Sequence, residues 1–228
     1  MRVMTSIADH LSSALSSLQV QFSEDPEMLH LAVATVFSSI FWERTIRVIV
    51  VGGQAATWWL RVSGSRDVDF VTSDFERVRD ILQMAGFEPT DAAFRLIHPG
   101  ATATSSVLVE LVGETIKVAG IQADTRAVST IQPDDIGNPA VRRLMRGDAL
   151  VIDPCLAFLN YADASSSASD WYDHTDEGSL AYERASALLE LYRRYIMNGL
   201  RSLNAQGKLP AALRILLGQR FGIRMNGQ

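Results

Sequence analysis

Val48-Ile49-Val50-Val51-Gly52-Gly53, followed after thirteen residues by Asp67-Val68-Asp69-Phe70, is the stretch whose reading decides the fold. The β-branched apolar run Val48–Val51 is the pattern of a strand buried on both faces. Its two closing glycines predict a turn that brings backbone N–H groups within reach of a phosphate. Asp67 and Asp69 stand at i and i+2 of a second strand, so they share a face, with Cα atoms about 6–7 Å apart. Val68 and Phe70 then turn toward the core. Two carboxylates so placed can hold one magnesium jointly or bracket two ions roughly 3.5–4 Å apart. Each signal also has a plain alternative: a solvated edge-strand Asp-x-Asp, and an ordinary tight turn at the glycines. Together they suggest chemistry on a nucleoside triphosphate.

Working outward, Ser63-Gly64-Ser65 is a turn signal between the glycines and the acids. Ser73 or Asp74 caps a helix from about Phe75 to Met84 that Gly86 closes. Phe94–Ile97 is a short strand and Ser106–Val112 a strong one, with Thr115–Ile121 expected to pair with it across Gly113-Glu114. On the N-terminal side, Ile7, Leu11, Leu15 and Leu18 mark one face of an amphipathic helix. Asp25-Pro26 opens a second helix, reaching about Glu43. Toward the C-terminus, Pro154–Ala162 and Ser179–Leu203 read as helices, and Leu209-Pro210 opens a last one through Leu217. The expected class is α/β (α+β): a mixed-sheet core over 45–132, between an N-terminal helical flank (1–44) and a mainly helical region (133–228).

A third acid strengthens the pair. Val107-Leu108-Val109-Glu110-Leu111-Val112 sets one carboxylate inside an apolar run, where it needs a cation, a metal or a hydrogen-bond donor beside it. If this strand neighbours the Asp67 strand, Glu110 becomes a third metal-facing acid or a base for an attacking hydroxyl. A Glu at a solvent edge, or one paired with an arginine, is the alternative reading.

Composition bounds the rest. The chain has 228 residues, 47% of them hydrophobic, and a net charge of −5. That supports a packed core without disulfides and argues against an extensive nucleic-acid surface. The single Cys155 cannot form an internal bridge, so reducing cytoplasm is the expected compartment. The opening residues lack a signal-peptide pattern, and the apolar stretch Met28–Trp42, interrupted by Ser38 and Ser39, reads as a buried helix rather than a membrane span. Lys117 and Lys208 are the only lysines, so phosphate recognition must rest on arginine and backbone N–H groups. Gly52-Gly53-Gln54-Ala55-Ala56 lacks the spacing of a dinucleotide fingerprint, which leaves a dinucleotide-dependent enzyme as a weaker option.

The motif set resembles the nucleotidyltransferase superfamily of the DNA polymerase β type. In that superfamily an apolar residue with Gly-Gly or Gly-Ser precedes an Asp-x-Asp/Glu pair, and a third acid follows on a later strand. Val51-Gly52-Gly53, Asp67-Val68-Asp69-Phe70 and Glu110 match it over roughly 46–112. The chain is most similar to the minimal and AbiEii-like bacterial branches. The resemblance implies Gly52 and Gly53 at the incoming triphosphate, with Ser65 and Arg66 beside it as the polar and basic residues ahead of the acids. It also implies Asp67, Asp69 and Glu110 as catalytic acids binding Mg2+ or Mn2+. The implied reaction moves a nucleoside monophosphate from an NTP to an acceptor hydroxyl on a small molecule, a protein or an RNA end. One departure stands out: Leu156–Asp173, where relatives carry a lysine and a basic-Asp pair, has no lysine or arginine. A catalytically degenerate binding or toxin–antitoxin module, with an antitoxin or a second copy as partner, is therefore the alternative.

Overall fold

Ile7, Leu11, Leu15 and Leu18 are all fully buried along one face of the first helix, α1 (Arg2–Gln21). This computed structural model describes residues 2–61, 67–90, 92, 94–100, 105–123, 128–166 and 176–225. They fall into two compact units, Met1–Thr115 with Val128–Ile152, and Ile116–Ala127 with Asp153–Gln228. Among the described residues no helix is long and apolar enough to cross a membrane.

The first unit is built on a mixed seven-stranded sheet. Its strands are β1 (Ile49–Val50), β2 (Val68–Val71), β3 (Glu88–Pro89), β4 (Arg95–His98), β5 (Val107–Gly113), β8 (Val128–Ile131) and β9 (Ala149–Ile152). The second unit contributes β6 (Ile116–Val118) and β7 (Ile121–Ala123), a separate two-stranded pair. The large sheet runs in the order β3-β4-β5-β2-β1-β9-β8. The pairs β1–β9 and β2–β5 are parallel, and the remaining neighbours are antiparallel.

Helix α2 (Pro26–Glu43) starts where its sequence predicts, because the Asp25 carboxylate accepts from the Met28 N–H and Pro26 fills the first turn. It is apolar almost all round and packs against β1, β2 and β9. Two of its few polar residues are clamps. Ser38 Oγ donates to the Val48 carbonyl at 2.6 Å and accepts from the Leu150 N–H at 2.8 Å. Ser39 Oγ donates to the Gly147 carbonyl and accepts from the Arg146 N–H. Helix α4 (Phe75–Met84) packs on α1 and β5 through Val78, Ile81 and Leu82, and Gly86 follows it at φ +99°.

Several expectations are corrected. The glycines do not form a turn: Val51 caps α3 (Gly52–Leu60), and both glycines lie in its first turn. The β1 ladder is confined to two residues, because Val51 already begins the helix. Ile116–Val118 does not pair back across Gly113-Glu114 but turns at Ala119-Gly120 onto Ile121–Ala123. Val128–Ile131 and Ala149–Ile152 add two strands that the sequence reading did not assign, and the expected division at 132 falls between these paired strands. Ser63-Gly64-Ser65 lies outside the described residues.

In the second unit α6 (Pro154–Ala164), capped by Asp153, packs against α7 (Asp176–Ala205) and α8 (Ala211–Phe221). The long helix α7 is interrupted at Tyr192, whose backbone is non-helical. Cys155 is buried at the tight approach of Gly199 and its thiol is pushed up to about 12, consistent with a packing role. The short helix Pro139–Leu144 (α5), which carries Arg142 and Arg143, belongs to the first unit.

Candidate active site

The pleat of β2 buries Val68 and Phe70 completely and leaves Asp69 on the opposite face. In β5, Val107, Val109 and Leu111 turn into the core, which puts Glu110 on the other side. Because β2 and β5 pair in parallel with Asp69 beside Glu110, the two carboxylates are neighbours on one face. In turn β5 pairs antiparallel with β4, with Glu110 opposite Arg95. Asp69, Glu110 and Arg95 thus form a row across three adjacent strands.

Asp67 lies one residue ahead of β2. Its backbone carbonyl accepts from Gln54 Nε2 at 3.2 Å, and Gln54 is fully buried in α3, so the start of the acid pair is tied to the helix that follows β1. The Val51 N–H donates to the Asp69 carbonyl at 3.0 Å, bringing the first turn of α3 alongside Asp69. Gly52 has φ +59°, and a Cβ there would stand 2.0 Å from Asp69 Oδ2. The carboxylate therefore occupies the space a side chain would need, and only glycine fits. Val51, the N-cap of α3, makes no side-chain cap hydrogen bond among the described residues. The first-turn N–H groups of α3 and the positive end of its dipole therefore suit an anion.

Electrostatics mark the same point. Asp69 is raised from 3.8 to about 7, first by burial, then by the charges of Asp67 and Glu110, while Arg95 acts the other way. A partly desolvated carboxylate repelled by two neighbouring acids favours a cation or a proton. The donors are all oxygen, which suits a hard divalent ion such as Mg2+ or Mn2+. Asp67 and Asp69 fit such an ion; Glu110 fits less well, because it is ion-paired with Arg95 Nε. The expected three-acid metal set of Asp67, Asp69 and Glu110 is thus corrected: among the described residues no three His, Cys, Asp or Glu side chains stand together as a metal-holding group.

The sequence-derived residues Gly52, Asp69 and Glu110 are thus neighbours, Asp67 lies just ahead of them at the start of β2, and Gly53 is in the adjoining helical turn. Ser65 and Arg66 lie outside the described residues, as do Tyr172, Asp173 and His174. Trp58 and Trp59 are half-buried, and Trp59 Nε1 donates to the Ile152 carbonyl at 2.9 Å, a packing role. Arg95 was missed, since its place beside Glu110 depends on the β4–β5 register and no local pattern announces it. Comparison with protein-family models, with curated proteins and with solved structures yields no match to this chain.

Proposed function

We propose that this protein is a metal-dependent nucleotidyltransferase that moves a nucleoside monophosphate from an NTP to an acceptor hydroxyl. The observation that carries the reading is the lateral alignment of Asp69 with Glu110 beside Gly52, with Asp67 close enough to raise the Asp69 pKa. In this reading Asp67 and Asp69 hold the divalent cation, which when bound polarises the α-phosphate and stabilises departing pyrophosphate. The first turn of α3, at Gly52 and Gly53, receives the triphosphate through backbone N–H groups. Ser65 and Arg66 belong to the same triphosphate contact set by resemblance alone. The acceptor oxygen forms a bond to the α-phosphorus as the bond to the pyrophosphate oxygen breaks. The hydroxyl proton passes to a carboxylate oxygen of the site.

A second reading, a nucleotidyltransferase-fold module that binds but does not turn over, is favoured by one observation: the Arg95–Glu110 ion pair withdraws the third acid from the metal set. One experiment separates the two. The purified chain is incubated with each labelled NTP, Mg2+ or Mn2+, and candidate small-molecule, protein and RNA acceptors, beside Asp67→Asn and Asp69→Asn. Transfer by the wild type that both variants lose supports the enzyme. Absence of transfer, with NTP binding unchanged in the variants, leaves the binding module.

A further inference from the structure

We propose that Arg95 is the phosphate-binding residue of this site and that Glu110 is its positioning residue rather than a third metal ligand; this rests on the nucleotidyltransferase reading above. The two side chains differ in a telling way. The Glu110 side chain is 10% exposed, whereas that of Arg95 is 49% exposed. A buried carboxylate thus grips the inner nitrogen, Nε, of an arginine whose outer end reaches solvent. Glu110 Oε1 has no well-directed hydrogen bond among the described residues, so the guanidinium is what answers its charge. The contacts shown for the Arg95 guanidinium among the described residues are this ion pair, through Nε, and the Phe94 ring. Phe94, itself exposed, lies with its ring 5.8 Å from the Arg95 guanidinium carbon and restricts where the fork can swing.

Placement and chemistry agree. Arg95 is the positive charge that Asp69 feels among the described residues. It therefore stands next to the point where a cation held by Asp67 and Asp69 would bring a triphosphate. A planar guanidinium held at Nε keeps its two Nη donors directed outward, the geometry that binds two phosphate oxygens at once. The chain has two lysines, Lys117 on β6 and Lys208 beyond α7, neither in the unit that holds the acids. A basic group on the strand beside Glu110 fills the role for which 156–173 offers none. One residue thereby neutralises the buried Glu110 and recognises the terminal phosphates.

The test measures ATP, inorganic pyrophosphate and AMP affinity in the presence of Mn2+, and Mn2+ affinity alone, for wild type, Arg95→Met, Glu110→Gln and the double variant. Arg95→Met strands a buried carboxylate and is expected to lose thermal stability; the double variant removes that charge and keeps the protein folded. Relative to Glu110→Gln, the double variant should bind ATP and pyrophosphate about 10–100-fold more weakly, the size of one charge-assisted fork. AMP and Mn2+ affinity should stay within about twofold. Glu110→Gln alone should weaken ATP severalfold yet keep Mn2+ binding, which Asp69→Asn should lose. Unchanged ATP affinity in the double variant, equal losses for ATP and AMP, or loss of Mn2+ binding in Glu110→Gln would each overturn the assignment while leaving the broader reading intact. Wild-type protein that binds neither Mn2+ nor ATP removes both.

Discussion

Asp69 is an acid whose ionised form this fold makes costly, and that sets a pH dependence with a definite sign. With a folded value near 7 against 3.8 in the unfolded chain, its contribution to stability is fully present below about pH 4 and is lost as pH rises through 7. Asp69→Asn escapes that loss. Its melting temperature should exceed that of wild type by a widening margin from pH 4 to 7, constant above, at about 2–4 °C per kcal/mol recovered. Differential scanning fluorimetry across pH checks this, and parallel curves for the two proteins would contradict it. Mn2+ should narrow the margin by stabilising the wild type alone. Gly52→Ala acts on the same carboxylate from the other side. Left-handed backbone costs the alanine about 1–2 kcal/mol, and its Cβ would displace Asp69 Oδ2. Mn2+ affinity should fall at least about tenfold, a loss that isothermal titration detects. These residues were legible in part: Gly52, Asp67 and Asp69 carry their spacing on the surface of the sequence. Glu110 stood out only as an acid in an apolar run, and its alignment with Asp69 belongs to a parallel pairing between distant segments.

Among elements, those with local chemistry were readable and those fixed by distant partners were not. Helix α2 has its Asp25 cap and first-turn proline, and α4 its amphipathic period and closing glycine; both fall where expected. The four-residue run Ala149–Ile152 is wholly buried and so has no alternation, and a short apolar run of that kind does not distinguish strand from buried helix. Thr115–Ile121 has the pattern of one strand, but Ala119 and Gly120 both adopt positive φ and fold it on itself. In sequence Ser38 and Ser39 interrupt an apolar helix; in the fold their hydroxyls join α2 to the backbone near β1 and β9. Ser38→Ala removes one hydroxyl and leaves the Val48 carbonyl and Leu150 N–H short of a buried partner. The cost should be about 1–3 kcal/mol, read as a lower urea midpoint with an unchanged slope. A midpoint within error of wild type would show that water replaces the clamp.

At the scale of the whole molecule, the first unit sets its acids on strands flanked on both sides and leaves β3 and β8 at the rims. Amide hydrogen exchange should follow that order: β1, β2 and β9 exchange last, through global opening, while β3 and β8 exchange first. Mass-spectrometric exchange resolves these peptides, and early exchange of β9 would refute the expected hierarchy. Protection that rises at β2 and the start of α3 on adding Mn2+ and NTP would tie ligand binding to the same strands.

The serine clamp between α2 and Leu150 spans 112 positions, and β9 fills the slot between β1 and β8. During synthesis, then, helix and first strand leave the ribosome long before the residues that complete them. Until Ile152 has emerged, β1 presents an apolar edge with an empty neighbouring lane, the kind of surface that pairs with other chains. A nascent chain halted after residue 132 would carry every acid of the site and still lack the strand that closes its core. Such a stalled product should depend on holding chaperones, whereas the finished chain should not.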